Sequence, residues 1–321
     1  SYRPEVAILR YANDCITWEI SNKLDVGVDL TLFNSLTLQA EYFREHRTNI
    51  LMSRSSTTPE MGLEVDPSKI RANLGEARSH GVDLSLDYNK AFRNGLWIQG
   101  RANFTYATGR YNVYEEPEYT DAPWLNHRNQ PITQQWGYVA ERLFIDETEV
   151  ANSPTQFGTY MAGDIKYKDI NGDGVINFKD RVPIGYPTTP EIMYGFGFSL
   201  GYKGFDISAF FQGSARSSFW ISPVDTAPFV GSPNSRAMLQ VYADNHWSEA
   251  NQNPYALWPR LSASVVENNN QQSTWFMQDG SFMRLKSFEI GYTFTDTVLR
   301  KSKIRNLRIY LSGTNLFTIS K

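Results

Sequence analysis

At 321 residues the chain is long enough for two ordinary domains or for one large β-architecture. Its 31 Lys and Arg against 34 Asp and Glu leave a net charge of -3, which excludes the broad basic surface of a nucleic-acid binder. A single cysteine, Cys15, excludes an internal disulfide, and His46, His80, His127 and His246 stand too far apart in sequence to form a metal-ligand pair.

No run of about 18 apolar residues is present, so no membrane-spanning helix is written here. The opening stretch SYRPEVAILRYAND lacks the charged-then-apolar order of a signal peptide. A mean hydropathy of -0.44 reads as that of a water-soluble protein. That inference fails for transmembrane β-barrels, whose strands alternate lipid-facing and lumen-facing residues. The 18 Tyr and 19 Phe, within an aromatic content of 14%, point toward this class.

In chain order, LDVGVDLTLF sets Leu24, Val26, Val28, Leu30 and Leu32 on one face, with Asp25, Gly27, Asp29 and Thr31 on the other. After a tight turn at Asn34-Ser35, LTLQAEYF alternates Leu36, Leu38, Ala40 and Tyr42 with Thr37, Gln39 and Glu41. GVDLSLDYN and LWIQGRANFTY form the next pair, joined through Asn94-Gly95, a strong hairpin signal. The third pair, MYGFGFSLGY and FDISAFFQG, turns at Lys203-Gly204. The fourth, SFEIGYTF and LRIYLSGTNLF, is joined by a longer link at 296–305. The sum is about eight antiparallel strands in four hairpins.

Between the second and third pairs lies a long stretch, 110–190, holding DINGDGVINFKD. Calcium takes six to eight oxygen ligands, and a 12-residue EF-hand loop supplies them from positions 1, 3, 5, 7, 9 and 12. Here those positions are Asp169, Asn171, Asp173, the carbonyl of Val175, Asn177 and Asp180, with Gly174 at the sharp turn. An EF-hand needs a helix on each side, and Pro183, Gly185, Pro187 and Pro190 forbid one downstream. The loop therefore reads as a structural calcium brace, with an ordinary Asx-rich turn as the open alternative.

Alternation alone does not separate a membrane barrel from a soluble sandwich, but the connections do. Links between the hairpins run to roughly 35, 80 and 65 residues, longer than a compact soluble domain ordinarily carries. Barrels combine short periplasmic turns with long extracellular loops. Phe33, Phe92, Tyr202 and Phe205 cluster near the short turns, as an interfacial girdle requires. The expectation is an antiparallel transmembrane β-barrel segment with long extracellular loops. A secreted calcium-binding β-sandwich that binds or cleaves carbohydrate is the second reading.

The block GDIKYKDINGDGVINFKDRVPIGYPTTPEIMYGFGFSLGYKGFDISAFFQGS resembles the C-terminal barrel region of SusC-like (SusC/RagA) TonB-dependent outer-membrane transporters. WEISNKLDVGVDLTLFNSLTLQAEYFREHRTNIL, NHWSEANQNPYALWPRL and SFMRLKSFEIGYTFTDTVLRKSKIRNLRIYLSGTNLF are similar to further segments of it. The resemblance implies a roughly 22-stranded barrel in the outer membrane of a Gram-negative bacterium, of which 1–321 would supply about eight strands. It also implies an enclosed plug, TonB as energy donor through an N-terminal region, a SusD-like surface lipoprotein as lid, and oligosaccharide or peptide cargo. No plug or TonB-binding segment is recognisable in this sequence, so it is expected to be part of a larger polypeptide.

Six of the eight tryptophans, Trp124, Trp136, Trp220, Trp247, Trp258 and Trp275, fall in the long loops and are the candidate substrate contacts. Their bland alternative is packing of loop against loop. ENNNQQST (267–274) offers amides to a hydroxyl-rich ligand, or is simply a solvated loop. Gly195, Gly197 and Gly201 thin one polar face, where a plug could approach. No histidine stands in a nucleophilic arrangement and no carboxylate pair is distinctive, so no enzyme activity is expected.

Overall fold

Strong period-two segments pair with their nearest strand neighbours in the chain. In the computed structural model, which describes residues 12–54, 70–230, 236–294, 304 and 307–320, β1 (Ile20–Leu32), β2 (Leu36–Ser53), β3 (Arg71–Ala91) and β4 (Trp97–Val113) run consecutively. The first long connection holds four short strands, β5 (Gln135–Gly137), β6 (Ala140–Leu143), β7 (Ile165–Tyr167) and β8 (Val182–Ile184). Then come β9 (Ile192–Tyr202) and β10 (Phe205–Ala215), the short β11 (Ser218–Trp220) and β12 (Met277–Asp279), and finally β13 (Phe282–Thr293) and β14 (Arg308–Ser320). The eight long strands form one antiparallel sheet in the order β1-β2-β3-β4-β9-β10-β13-β14. The expected link at 296–305 lies outside the described residues apart from Ile304.

The register carries the alternation across the whole wall. Leu38, Leu86, Ala102, Phe196, Phe211, Leu285 and Phe317 are successive cross-strand partners from β2 to β14. One row away, Thr37, Asp87, Arg101 and Gly197 line the opposite face. In β13 the alternation changes phase at Lys286, where a bulge between Leu285 and Ser287 keeps both Leu285 and Phe288 on the greasy side. Sequence periodicity begins this strand at Ser287 for that reason, whereas it starts at Phe282.

Among the described residues no second sheet covers the greasy face. The remaining sheets among the described residues are three two-stranded ones, β5-β8, β6-β7 and β11-β12. Val26 stays 56% exposed, Phe205 63% and Leu311 70%. A sandwich would bury these side chains at about 1.5–3 kcal/mol each; hydrocarbon is the solvent that suits them here. That removes the sandwich reading. Among the described residues no helix is long and apolar enough to cross a membrane; the crossing elements are strands.

Two details differ from expectation. The first inter-hairpin connection is shorter than the roughly 35 residues expected from periodicity, because β2 runs on to Ser53 and β3 starts at Arg71. These strand ends rise past the greasy rows, where alternation no longer has a hydrophobic signature. Gly197 and Gly201 are closely approached by the chain's own side chains on the polar face. A Cβ at Gly197 would meet the Phe210 ring, and one at Gly201 would meet Trp97. A Cβ at Gly195 would likewise meet Asn103 Oδ1 and Phe210, so the chain's own side chains lie close over all three glycines.

The short-turn rim carries the expected aromatics. Phe33, with φ of 55°, is 86% exposed in the β1–β2 turn. Phe205 packs against Tyr292 with ring centroids 4.5 Å apart. Lys203 Nζ lies 5.0 Å from the Tyr202 ring centre. Amphipathic rings beside ammonium groups suit a headgroup level.

Candidate functional site

The buried core of this molecule lies in its loops. Tyr138, Leu143, Ile165, Tyr167 and Ile176 of the first long connection (114–191) form one cluster with Tyr242, Trp247, Ala256, Trp258 and Phe276 of the second (216–281). Leu143, Ile165 and Ala256 have no exposed surface. The two loops thus fold together into a head at the long-loop end of the wall.

A buried polar staple locks the two halves. Gln156 Nε2 donates to Asn268 Oδ1 at 2.9 Å and to the Ile165 carbonyl at 2.8 Å. Asn268 Nδ2 donates to the same carbonyl at 2.7 Å, and the Tyr167 hydroxyl donates to the Asn268 carbonyl at 2.7 Å. Beside it, Asn269 Nδ2 donates to Asp164 Oδ1 at 2.8 Å, and Arg260 Nε lies 2.8 Å from that oxygen. Asn268, Ser273 and Asp164 have no exposed surface. Within the run ENNNQQST, Asn268 and Asn269 belong to the seam between the loops, while Glu267, Asn270, Gln272 and Thr274 are exposed. Buried amides without partners would each cost about 1–3 kcal/mol, so satisfaction here selects one arrangement. Sequence reading missed Gln156 and Asp164 and named Asn268 and Asn269 only as amides open to a ligand, because a staple across more than a hundred residues has no local period.

The loop 169–180 is wound by its own carboxylates. Asp169 accepts from Gly172 N at 2.7 Å and Gly174 N at 2.8 Å. Asp173 Oδ1 accepts from Val175 N at 2.9 Å. Asp180, fully buried, accepts from Ile170 N and Asn177 N, both at 2.8 Å. Asn177 Oδ1 accepts from Lys179 N at 2.9 Å, and its Nδ2 reaches the Val175 carbonyl at 3.2 Å. Asn171 Nδ2 donates to Asp173 Oδ2 at 2.8 Å. Gly172 and Gly174 hold φ of 74° and 83° with nothing near a Cβ, so conformation rather than space requires glycine. Hydrogen bonds to the charged form hold the Asp173 carboxyl below its ordinary value, that from Asn171 most strongly.

Does this set suit calcium? The donors are hard oxygens, and each carboxylate oxygen in contact with an N–H keeps a second lone pair. Among the described residues, however, no three His, Cys, Asp or Glu side chains gather as a metal cluster. The donor chemistry fits a calcium ion; the carboxylates here face the backbone.

Each candidate tryptophan can be placed. Trp247 and Trp258 are each 7% exposed within the loop core. Trp258 packs on Tyr242 at 4.5 Å, and Trp247 lies over Gly163, where any Cβ would strike its ring. Trp220 and Trp275 pack partly buried against the same cluster. Trp220 donates to Gln135 Oε1 at 2.7 Å, and Trp124 to the Lys179 carbonyl at 2.7 Å. Trp136 ends a ring ladder with Tyr111, Tyr114 and His127 at centroid spacings of 4.7–4.8 Å. The six are spread through the head and do not converge on one cleft.

A charged clamp sits at the foot of α1 (Glu147–Ala151). Burial pushes the Glu149 carboxyl up, but hydrogen bonds from Arg142, Ile145 N and Lys166 outweigh it and bring it down to about 2. On the polar face of the wall, Arg101 Nε pairs with Asp87 at 2.8 Å. Arg308 pairs with Asp206 and with Glu289, the latter at 2.7 Å.

Residues 1–316 match the family model described as TonB dependent receptor-like, beta-barrel. The chain is 28% identical over 331 residues to TonB-dependent receptor P3 of Formosa agariphila, covering 98% of this chain and 31% of that protein. It is 24% identical to TonB-dependent receptor P26 of the same organism, covering 96% of this chain and 31% of the relative. Thus the chain spans about a third of the length of these relatives. In structure it is similar to the RagAB peptide transporter, with a TM-score of 0.64, 18% identity, and coverage of 95% of this chain and 32% of that one. The RagAB peptide importer in its open-open state gives a TM-score of 0.65 at 18% identity, over 97% of this chain and 32% of that one. A continuous greasy face, a polar face with internal ion pairs, and a family match over nearly the whole length agree: the chain belongs to the TonB-dependent receptor β-barrel family, whose members are receptors and transporters rather than enzymes.

Proposed function

We propose that this chain forms part of the barrel wall and extracellular head of a SusC-like outer-membrane importer. It would take up nutrients too large for porins, oligosaccharides or peptides, with energy from TonB and a SusD-like lipoprotein over the head. The family match across 1–316 carries this reading. The peptide alternative gains support from the fold neighbour described as a peptide transporter, at 18% identity. The head supports a lidded mechanism, because a packed surface offers a partner a fixed docking shape where floppy loops would not.

The test is uptake of labelled peptides and of labelled oligosaccharides by cells carrying the full-length protein, with and without functional TonB. Import of one class that stops when TonB is inactivated is the expected result. Uptake of both classes unchanged without the receptor would remove the proposal.

A second reading concerns 169–180. The donor set favours a calcium brace on the limb that descends from the head to β9. With a site of extracellular type, affinity of about 10⁻⁴ to 10⁻³ M is expected. Terbium luminescence sensitised by Trp124, which hydrogen-bonds the Lys179 carbonyl, reports occupancy. The double variant Asp169→Asn, Asp180→Asn should abolish the signal, and a chelator should speed proteolysis within 150–190. Equal cleavage with and without chelator would leave the loop a metal-free Asx turn.

A further inference from the structure

The wall treats its arginines in two ways. On the polar face, Arg101 and Arg308 each lie against carboxylates, as does Arg47 with Glu45 at 2.9 Å. On the greasy side, just beyond the apolar rows toward the long loops, the arginines behave otherwise. The last row there that is apolar from β1 to β4 is Val26, Tyr42, Val82 and Tyr106; one row further only Leu24 of β1, opposite Arg44, is still apolar. The next row toward the head places Arg44 opposite His80, and the one after it places His46, Arg78 and Arg110 side by side on three adjacent strands. Arg44, Arg78 and His80 are exposed. Two carboxylates border the patch: Glu76, 3.7 Å from His46 Nε2, and Glu191, which is bonded to Arg216 at 3.0 Å and to Thr108. Arg110 donates to the Asn129 carbonyl at 2.7 Å. Among the described residues, Arg44 and Arg78 have neither an ion pair nor a side-chain hydrogen bond.

Height along the strand fixes what this patch meets. A barrel strand crosses the hydrocarbon in about 9–11 residues. Counting from Leu36 at the short-turn end of β2, Arg44 is the ninth residue, and His46 follows two further on. The cations thus stand where acyl chains give way to headgroups, on the outward side and at the outer leaflet. Guanidinium groups bind phosphate by paired hydrogen bonds. We propose that the outward faces of β2, β3 and β4, centred on Arg44 and Arg78, form a docking site for the phosphate-bearing headgroup of an anionic outer-leaflet glycolipid. Resting on the membrane reading of the greasy face, this goes beyond it by naming the lipid chemistry and the residues. The phosphates supply the counter-charge that, among the described residues, the inward-facing arginines find in carboxylates and these two do not.

The full-length protein, purified in neutral detergent, can be titrated with diphosphorylated lipid A and, in parallel, with its dephosphorylated form, and the retained lipid measured by native mass spectrometry. Wild type should hold the phosphorylated form, and Arg44→Gln with Arg78→Gln should weaken it on the order of tenfold to thirtyfold, the effect of two arginines at an anionic leaflet. Lys203→Gln, at the opposite rim, should bind as wild type does. Heat-modifiable migration on gels verifies that each variant is folded. Equal retention of the two lipids, or no loss in the double variant, would overturn the site. Release of the wild-type protein from membranes by carbonate without detergent is a separate result that would overturn the membrane reading and the site together.

Discussion

The wall and the head of this molecule are stabilised in opposite ways. The wall is regular, pairs each long strand only with the long strand before and after it, and leaves its apolar side chains uncovered, as Leu311 and Val26 show. The head has little regular structure, yet it holds the side chains that are wholly buried, Leu143, Phe144, Ile165 and Tyr167 among them. The difference follows from solvent. Strands in lipid gain nothing by burying Leu against Leu, so what they need is backbone hydrogen bonding, which the sheet supplies. Loops in water must remove apolar surface to order themselves at all, and conformational entropy of about 1–2 kcal/mol per residue opposes them.

If the two regions are separate in energy, a core substitution in the head should leave the wall intact. Trp258→Ala removes a ring that touches Tyr242 and Phe276 and should cost the head about 3–5 kcal/mol. Limited proteolysis should open 114–191 and 216–281, while heat-modifiable migration of the barrel stays unchanged. Loss of both signals together would make wall and head one cooperative unit.

The polar seam allows a finer cut. Asn268→Ala leaves the Gln156 amide and the Ile165 carbonyl each short of a partner and should destabilise the head by about 1–3 kcal/mol. Amide exchange should rise in β7 and around Gln156 and stay constant in β2 and β3.

Acid gives the smallest effect. Folding holds the Glu149 carboxyl at about 2, below its ordinary value of 4.5. Its stabilising contribution is therefore present above pH 4.5 and is lost as pH falls toward 2. Proteolysis of 140–170 should accelerate across that window in wild type. Glu149→Gln should begin less stable and respond less to pH there; an identical acid response would assign the loss to other carboxylates.

The same contrast decides what the sequence discloses. Strand pairing was legible because a period of two is local: Leu24 to Leu32 and Tyr194 to Tyr202 state their faces within nine residues each. Periodicity failed where a bulge shifts phase at Lys286, and where β2 and β3 rise out of the greasy band. The calcium-type loop was legible as a turn motif, and its Asx bonds and glycine conformations follow the spacing. The head was not legible. Gln156 and Asn268 meet across 112 residues, and no residue type announces such a partner. Of the candidate contacts, Trp247, Trp258, Trp220 and Trp275 pack in or against the core shared by the two loops, and Asn268 bridges them, contacts that no local pattern in the sequence encodes.

One consequence follows from the order of the wall. Each long strand lies beside its predecessor and successor in the chain, always antiparallel. Excising β9 and β10 would leave β4 running opposite to β13 as before, ready to pair without rethreading. Girth in such a wall can therefore change in steps of one hairpin, and the loops riding on that hairpin come or go with it.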